Sequence, residues 1–354
     1  MQPNAELRSI VDRFSAARIA VVGDLVADEY LYGETDRVSR EAPVLIVRYE
    51  SSELKPGCGA NAVANLCALG ARVVPIGMVG EDATGARLRN LLVDAGADVS
   101  LVLTAEGFPT AVKTRVLAGG KNTRRQQMLR IDREGPLEPP SALLPRLLRG
   151  LREAARDADA IMVSDYGAGL LSTPVIEAVL GLAESGKLVC VDSRYRLTQY
   201  RGVAVAKPNE VELEQLAGRP LGGDLAALEE AGRDLLRTLR ARSLLVTRGR
   251  AGMMLLRPGA PAALLPVHGS TTAVDVTGAG DTVMAANTVA LACGADPIDA
   301  ARIANVAGSL VVQKPGTATV AAAELRTELQ RGPVAQAQLV EERQEPARKK
   351  RARR

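Results

Sequence analysis

Short apolar runs alternate with longer amphipathic stretches along much of the chain. The run IAVVGD after Arg18 predicts a buried strand that ends at Gly23 and Asp24, the strand end at which α/β folds place binding groups. The run VVPIGMVG, an amphipathic stretch over residues 84–95 and the run VSLVLT then predict strand, helix and strand in turn. This alternation predicts an α/β fold with a mostly parallel sheet.

The same alternation returns in the second half of the chain. After a proline-rich linker near residues 136–140, the runs DAIMVSDY, KLVCVD, VAVAK and SLLVTRG predict four further strands separated by helices. Residues 279–292 and 297–312 predict two late helices, and from residue 333 onward the polar sequence predicts disorder. We therefore expect one domain over residues 1–332 and a disordered basic tail over residues 333–354.

Two segments interrupt this alternation and predict a small lid. Residues 30–50 are rich in polar and β-branched side chains, and their run VLIVRY is typical of a strand. Residues 110–117 and 126–132 predict a β-hairpin joined by the polar turn AGGKNTRR. We expect these strands to form a β lid over about residues 28–49 and 110–132.

The composition is that of a globular protein with few aromatic side chains. Hydrophobic residues make up 47% of the chain, but aromatic residues make up only 2%, so Ala, Leu and Val must do most of the packing. The four cysteines lie far apart without a CxxC pair, which argues against a zinc site or a disulfide framework. There is also no leader-like N-terminus and no apolar stretch of bilayer length. These features predict a cytoplasmic protein without a membrane segment.

The positive net charge comes from the end of the chain. Six of the last seven residues are Lys or Arg, and without them the formal net charge of +4 becomes −2. Such a run can bind nucleic acid, but a solvated tail is the more common interpretation. We therefore do not expect the domain to bind nucleic acid.

The segment VDVTGAGD at the start of a late helix carries the strongest chemical signal. Glycines at a helix start leave backbone N–H groups free at the positive end of the helix, where they can hold an anion. Phosphoryl transfer needs such an anion hole and a base for the attacking hydroxyl, and Asp281 directly follows Gly278, Ala279 and Gly280. A glycine turn capped by an Asp is the purely structural alternative.

This segment and the glycine-rich turn before Asn61 resemble the PfkB, or ribokinase-like, carbohydrate kinases over about residues 18–325. The resemblance implies a three-layer α/β/α fold, with ATP and Mg²⁺ as cofactors and a homodimer formed through the lid strands. It also implies that Asp281 is the catalytic base and that the amides of Gly278, Ala279 and Gly280 form the anion hole. Whether a monovalent cation such as K⁺ binds beside Asp275 stays open.

The resemblance further implies a nucleotide site and its metal ligands. The positions of this site are Asn209, Glu212, Thr247, Arg248, Gly249 and Asn305. Glu212 and Asp275 are the metal candidates. Asn209 followed by acidic residues is also a common helix start, and Arg248 is equally compatible with a surface charge.

Longer strings resemble the members of this family that phosphorylate D-glycero-D-manno-heptose 7-phosphate in lipopolysaccharide precursor synthesis. These strings are GDLVADEYLYGETDRVSREAPVLIV, TRRQQMLRIDRE, SDYGAGLLS and DVTGAGDTV. The implied sugar contacts are Asp24, Asp28, Gly57, Gly59 and Asn61. A sugar phosphate also needs cationic donors near the lid. The candidates for this role are Lys113, Arg115, Arg130 and Arg194.

Two strings depart from the heptose kinases beside the expected sugar site. Gly57-Cys58 stands where those kinases have two adjacent glycines, and Ser39-Arg40-Glu41-Ala42-Pro43 stands where they have Ser-Pro-Glu-Ala-Pro. His268 is the only histidine, so we do not expect the HxGH motif of the nucleotidyltransferase fused to many relatives. A kinase for another sugar or a nucleoside, and a catalytically silent sugar-phosphate-binding protein, stay open as alternatives.

Overall fold

The computed structural model describes residues 4–120, 125–135 and 138–340. The strands in these ranges are β1 (Arg18–Gly23), β2 (Leu25–Val38), β3 (Leu45–Cys58), β4 (Arg72–Gly80), β5 (Val102–Ala105), β6 (Val112–Gly119), β7 (Gln126–Arg133), β8 (Ala160–Asp165), β9 (Leu188–Ser193), β10 (Val205–Ala206), β11 (Ser243–Thr247), β12 (Met253–Leu256), β13 (Ala263–Leu265) and β14 (Gln338–Leu339). The α-helices are α1 (Ala5–Asp12), α2 (Gly59–Ala68), α3 (Ala83–Asp94), α4 (Leu144–Asp157), α5 (Thr173–Glu184), α6 (Glu210–Ala217), α7 (Leu225–Leu239), α8 (Ala279–Ala292), α9 (Pro297–Val311) and α10 (Ala322–Arg331).

Ten of the described strands form the main sheet, in the order β14-β13-β12-β11-β10-β9-β8-β1-β4-β5. Seven of these strands, in the spatial order β11-β10-β9-β8-β1-β4-β5, pair in parallel. This confirms the predicted mostly parallel α/β sheet. The strands β12, β13 and β14 extend it in antiparallel fashion and were not predicted. Because β1 lies between β4 and β8, the chain winds outward from it in both directions. This is the point at which open α/β sheets bind ligands.

Helices cover both faces of the main sheet. Side chains of a strand alternate between its two faces. Ile19 and Val21 join a core that contains residues of α1–α3 and α8–α10, whereas Ala20 and Val22 join a second core that contains residues of α4–α7. The predicted three-layer α/β/α arrangement is therefore confirmed.

The two late helices begin at local signals. Gly278 precedes α8 in the left-handed conformation, and the Asp296 side chain accepts hydrogen bonds from the amides of Ile298 and Asp299 at the start of α9. Residues 281–290 of α8 are all buried, and most of them are small. Small side chains allow α8 to pack closely on its neighbours, which compensates for the scarcity of aromatic residues.

The lid is a four-stranded sheet in the order β3-β2-β6-β7. Its first two strands are longer than predicted, since together they span residues 25–58 apart from one turn. A single residue, Asp24, separates β1 from β2, and β3 is followed directly by α2. Several large apolar side chains of the lid are exposed: Val38, Val44, Leu45, Ile46, Tyr49, Met128, Leu129 and Ile131.

The described structure continues past residue 332. Val334 is buried, and β14 pairs with β13. Arg302 holds this segment, since its guanidinium donates to the carbonyl of Val334 at 3.2 Å. The basic residues of the predicted tail lie outside the described residues. In the described part of the chain, no helix has both the length and the apolar character that a membrane crossing requires.

Candidate active site

Asp281 lies in the first turn of α8 with only 2% of its surface exposed. Its Oδ2 accepts a hydrogen bond from Nδ2 of Asn61 at 2.8 Å, and its Oδ1 accepts one from the Tyr166 hydroxyl at 2.9 Å. Burial, followed by the negative charge of Asp192, raises the pKa of Asp281 from its ordinary value of 3.8 to about 7. A carboxylate with a pKa near neutrality is well suited to take a proton from a hydroxyl group.

The predicted anion hole lies next to Asp281, with one correction. Gly278 has a φ of 76°, and a Cβ at this position would lie 2.5 Å from Nδ2 of Asn61, so only glycine fits. The Ala279 amide donates to the carbonyl of Val276 at 3.2 Å and is already satisfied. No described residue accepts a hydrogen bond from the amides of Gly278, Gly280 or Asp281. These three amides, rather than those of residues 278–280, are available to an anion.

A buried ion pair lies beside the hole. Nζ of Lys207, directly after β10, is 2.9 Å from Oδ2 of Asp192 in β9, and both side chains are largely buried. A Cβ at Gly280 would be 3.4 Å from the same Nζ, so the ammonium group borders the anion hole. Lysine is a common phosphate ligand. Lys207 was not predicted as a site residue, although its place directly before Pro208 and Asn209 at a strand end was a usable signal.

A cavity of about 550 Å³ opens from the hole along β11 and α9, a volume typical of small-ligand sites. Four of the six predicted nucleotide residues line it, namely Asn209, Thr247, Gly249 and Asn305. Lys207, Ala279 and Gly280 close its inner end, and much of its remaining wall is apolar. The cavity therefore offers an apolar surface for a flat ring and a cationic end for phosphates.

Three of the predicted nucleotide residues, Asn209, Glu212 and Arg248, are held by local contacts. Asn209 and Glu212 form a reciprocal capping box at the start of α6, with hydrogen bonds of 2.8 and 2.9 Å. The helix-start alternative therefore describes the observed contacts of both side chains. Arg248 does not line the cavity, because its Nε lies 3.7 Å from Glu210, and Arg250 lines it instead.

Asp275 connects the hole to a neighbouring turn. Its two carboxylate oxygens accept hydrogen bonds from the amides of Thr277 and Gly316, each at 2.9 Å. Burial alone would raise the pKa of Asp275, but these two amides hold it below its ordinary value. Across residues 4–120, 125–135 and 138–340, no group of three His, Cys, Asp or Glu side chains is arranged to hold a metal ion. Of the two metal candidates, only Glu212 keeps a carboxylate oxygen without a described protein partner.

A second, smaller pocket of about 160 Å³ lies between the lid and the main sheet. We call it the basic pocket because four of its lining residues are cations, Lys113, Arg130, Arg133 and Arg194, against the two carboxylates Asp132 and Glu134. Tyr166 also lines it, so the basic pocket is one side chain away from Asp281. Three of the four predicted cations thus come together, while Arg133 had not been predicted.

The fourth predicted cation, Arg115, lies elsewhere. Its Nη1 is 2.7 Å from Oδ1 of Asp28, and its guanidinium covers the Tyr30 ring. Burial raises the pKa of Asp28 above its ordinary value, and the positive charge of Arg115 only partly offsets this effect. A Cβ at Gly57 would lie 2.6 Å from the Asp28 carboxylate, so Gly57 allows close packing at the foot of the lid.

Asp24, which was predicted to contact sugar hydroxyls, is held by backbone amides. Its carboxylate accepts hydrogen bonds from the amides of Tyr166, Ala168 and Leu170 at 2.8–3.1 Å, and it is almost fully buried. Asp24 therefore fixes the loop that follows β8. A Cβ at Gly59 would lie 2.7 Å from the Asp24 carbonyl oxygen, so this glycine too is required by packing.

The two departures from the heptose kinases lie in different surroundings. Cys58 is buried at the foot of the lid, where Nζ of Lys113 donates to its Sγ at 3.1 Å. Its φ of 51° lies in the region that favours glycine. Burial raises the pKa of the Cys58 thiol to about 12. Arg40 is exposed in the turn between β2 and β3, at the opposite end of the lid.

Curated relatives of this chain are bifunctional proteins. The bifunctional protein HldE of Desulfatibacillum aliphaticivorans is 39% identical over 328 residues, which cover 92% of this chain and 65% of that protein. The HldE of Methylococcus capsulatus is 41% identical over 319 residues, which cover 89% of this chain and 64% of that protein. The chain thus spans just under two thirds of the length of these relatives.

Solved structures share the fold at low sequence identity. Arabidopsis thaliana ribokinase, complexed with ribose and ATP, superposes with a TM-score of 0.71 at 22% identity and covers 88% of this chain and 98% of its own. Escherichia coli phosphofructokinase-2, in complex with substrates and products, gives 0.70 at 19% identity with the same coverage. Residues 16–324 match the pfkB family carbohydrate kinases, a range that contains the predicted anion hole, the large cavity and the basic pocket. The chain belongs to the pfkB family of carbohydrate kinases.

Proposed function

We propose that this kinase transfers the γ-phosphoryl group of ATP to the anomeric hydroxyl of a sugar that already carries a phosphate, D-glycero-D-manno-heptose 7-phosphate. The observation that carries the proposal is the basic pocket, which places Lys113, Arg130 and Arg194 one side chain away from Asp281. A neutral sugar needs hydroxyl-binding groups but no such cluster of cations, whereas a phosphate monoester does. The strings shared with heptose kinases and the identity to the HldE proteins support the heptose as acceptor.

Arg133 and Arg194 are the pocket arginines that pair with no carboxylate among the described residues, and Arg133 donates to the Thr84 hydroxyl at 3.1 Å. Arg130 is paired with Asp132 through two contacts of 2.8 and 2.9 Å, and Lys113 donates to Cys58. Among the described residues, Arg194 pairs with no carboxylate and lies over the Tyr195 ring. It is therefore the side chain from which we expect the largest contribution to phosphate binding.

The geometry supports a direct, in-line transfer. The acceptor hydroxyl gives its proton to Asp281, and its oxygen forms a bond to the γ-phosphorus while the bond from that phosphorus to the β-phosphate oxygen breaks. The amides of Gly278, Gly280 and Asp281, with Lys207 at their side, face the charge on the transferring group. ADP leaves with the electron pair of the broken bond.

Glu212 is the side chain that would reach a Mg²⁺ ion that accompanies ATP. It lies close enough to Lys207 for the two charges to interact, and one of its oxygens has no described protein partner. Mg²⁺ is commonly held by substrate phosphates and only one or two carboxylates, which agrees with a site that has no preformed cage among the described side chains. When bound, the ion would neutralise charge on the β- and γ-phosphates.

We also propose that the protein is cytoplasmic and forms a homodimer through its lid. The large apolar side chains exposed on β3 and β7 support the dimer, because such a surface is costly to leave in water. A silent sugar-phosphate-binding protein is disfavoured by Asp281, since its near-neutral pKa and two fixed oxygens are of use to a base and unnecessary for binding.

A comparison of acceptors tests the proposal. We expect turnover with heptose 7-phosphate and at least tenfold lower kcat/KM with the same heptose lacking its phosphate, since a charge-assisted contact contributes about 1.5–3 kcal/mol. Arg194→Ala should raise KM for the phosphorylated sugar about tenfold or more and leave KM for ATP unchanged. Arg219→Ala removes an exposed arginine paired with Glu230 on the surface and serves as the control, with both constants unchanged. Equal kcat/KM for the two acceptors would refute the sugar phosphate as substrate.

A further inference from the structure

Tyr166 joins two parts of the site that lie on different elements. It follows β8 directly, and its hydroxyl donates to Oδ1 of Asp281 at 2.9 Å. Its ring lines the basic pocket, and Nζ of Lys113 lies 5.4 Å from the ring centroid. The Tyr166 side chain therefore contacts both the basic pocket and Asp281.

The backbone beneath Tyr166 is fixed by two buried carboxylates. Asp24 accepts hydrogen bonds from the amides on both sides of Gly167, and Oδ1 of Asp165 accepts one from the Gly167 amide at 3.1 Å. The Tyr166 ring thus projects from a loop with little freedom to shift. A group held in this way can fix the orientation of its neighbour without entropic cost at the moment of reaction.

The two oxygens of Asp281 are held by side chains from two different parts of the chain. Asn61 in α2 holds Oδ2, and Tyr166 after β8 holds Oδ1. Each carboxylate oxygen has two lone pairs, so both can accept a further proton donor while these hydrogen bonds persist. Without the Tyr166 hydroxyl, the carboxylate is fixed on one side only, and its charged form loses a donor.

The geometry points to Tyr166 as a positioning residue that aligns Asp281 toward an acceptor bound in the basic pocket. This inference rests on the proposed function, because it requires Asp281 to be the base. Tyr166 exchanges no proton with the substrate in this scheme. It acts through Asp281, and its removal should therefore affect the chemical step and its pH dependence more than the binding of ATP.

Tyr166→Phe tests the inference in a pH–rate profile. We expect kcat to fall by about tenfold to a hundredfold, the effect of losing one hydrogen bond to a charged group, while KM for ATP stays unchanged. The acidic limb of kcat should move to higher pH, because the lost donor had stabilised the carboxylate form. Tyr166→Leu lacks the same donor and should give the same direction of movement, which keeps the test valid if one variant folds poorly.

Tyr32→Phe is the control. Its hydroxyl donates to Oε2 of Glu53 at 3.5 Å in the lid, so the change removes the same group from a Tyr–carboxylate pair that does not support the Tyr166 loop. The acidic limb of this variant should stay in place. A limb that stays in place in Tyr166→Phe, or moves equally in Tyr32→Phe, would overturn the positioning role. Asp281→Asn separates the two proposals: if it retains turnover, the proposed function itself fails, whereas an inactive Asp281→Asn with an unmoved Tyr166→Phe limb refutes only the inference.

Discussion

Asp281→Asn should stabilise the folded protein while it removes turnover. A buried carboxyl with a raised pKa destabilises the fold at pH values above its ordinary pKa, because the unfolded chain releases the proton more readily than the folded chain. Asn has the same shape and carries no charge. The Tyr166 hydroxyl can accept as well as donate, so it can adapt to an amide at this position.

The magnitude follows from the pKa of Asp281, which rises from 3.8 to about 7. At about pH 8 this difference corresponds to at most about 4 kcal/mol of stability that Asp281→Asn can recover. At about pH 5.5 the folded protein already carries the proton on Asp281, so the recovered stability should be about 2 kcal/mol smaller. The gain should thus increase as the pH rises from the ordinary pKa of 3.8 toward the folded-state pKa of about 7, and it should level off above that value.

Urea unfolding followed by circular dichroism at the two pH values measures this gain, with the midpoint and the slope compared between variants. Turnover should fall by several orders of magnitude in the same preparation. Asp275→Asn is the control of opposite sign. The pKa of Asp275 is lowered by its two amide partners, so its carboxylate stabilises the fold above its ordinary pKa, and the change should lower stability at both pH values. If Asp281→Asn is no more stable than the parent at about pH 8, the buried Asp281 carboxylate does not destabilise the folded protein.

Two further substitutions test the surroundings of the base. Lys207→Met leaves the Asp192 carboxylate buried without its partner and should cost about 3–5 kcal/mol in urea unfolding, whereas the double change Asp192→Asn with Lys207→Met should recover most of the loss. A single variant that loses less than about 1 kcal/mol would show that the pair is accessible to water. Gly278→Ala should cost about 1–2 kcal/mol for its left-handed backbone and lower kcat by more than tenfold, since the new Cβ would displace Asn61. Unchanged kcat in that variant would mean that Asn61 does not orient the base.

Elements with a local start signal could be predicted closely from the sequence. The helix α9 was predicted to within one residue, because Asp296 and Pro297 mark its beginning. The strands β12, β13 and β14 have four, three and two residues, which is too short for a periodic pattern, and their pairing depends on the strand beside them. Their position at the edge of the main sheet could therefore not be predicted.

The residues of the candidate site also differ in how well they could be predicted from the sequence. Asp281 could be proposed as the base from the sequence because the glycines of its predicted anion hole directly precede it in the chain. Tyr166 lies 115 residues away from Asp281, and only the packing of β8 against α8 brings the two together. The sugar contact of Asp24 was implied by the family resemblance. Its hydrogen bonds with the amides of another loop could not be predicted, because no short window of sequence contains both partners.

The connection between the main sheet and the lid makes the lid a lever. Only Asp24 separates β1 from β2. Its amide donates to the carbonyl of Ser164 and its carbonyl accepts from the amide of Gly59, so the backbone at this connection has little freedom to shift. With about 3.3 Å per residue, a rotation of about 5° at Asp24 would carry Val38 through about 4 Å but Asp28 through only about 1 Å. A force applied at the far end of the lid, by a second chain for example, would thus be converted into small and precise displacements beside the acceptor.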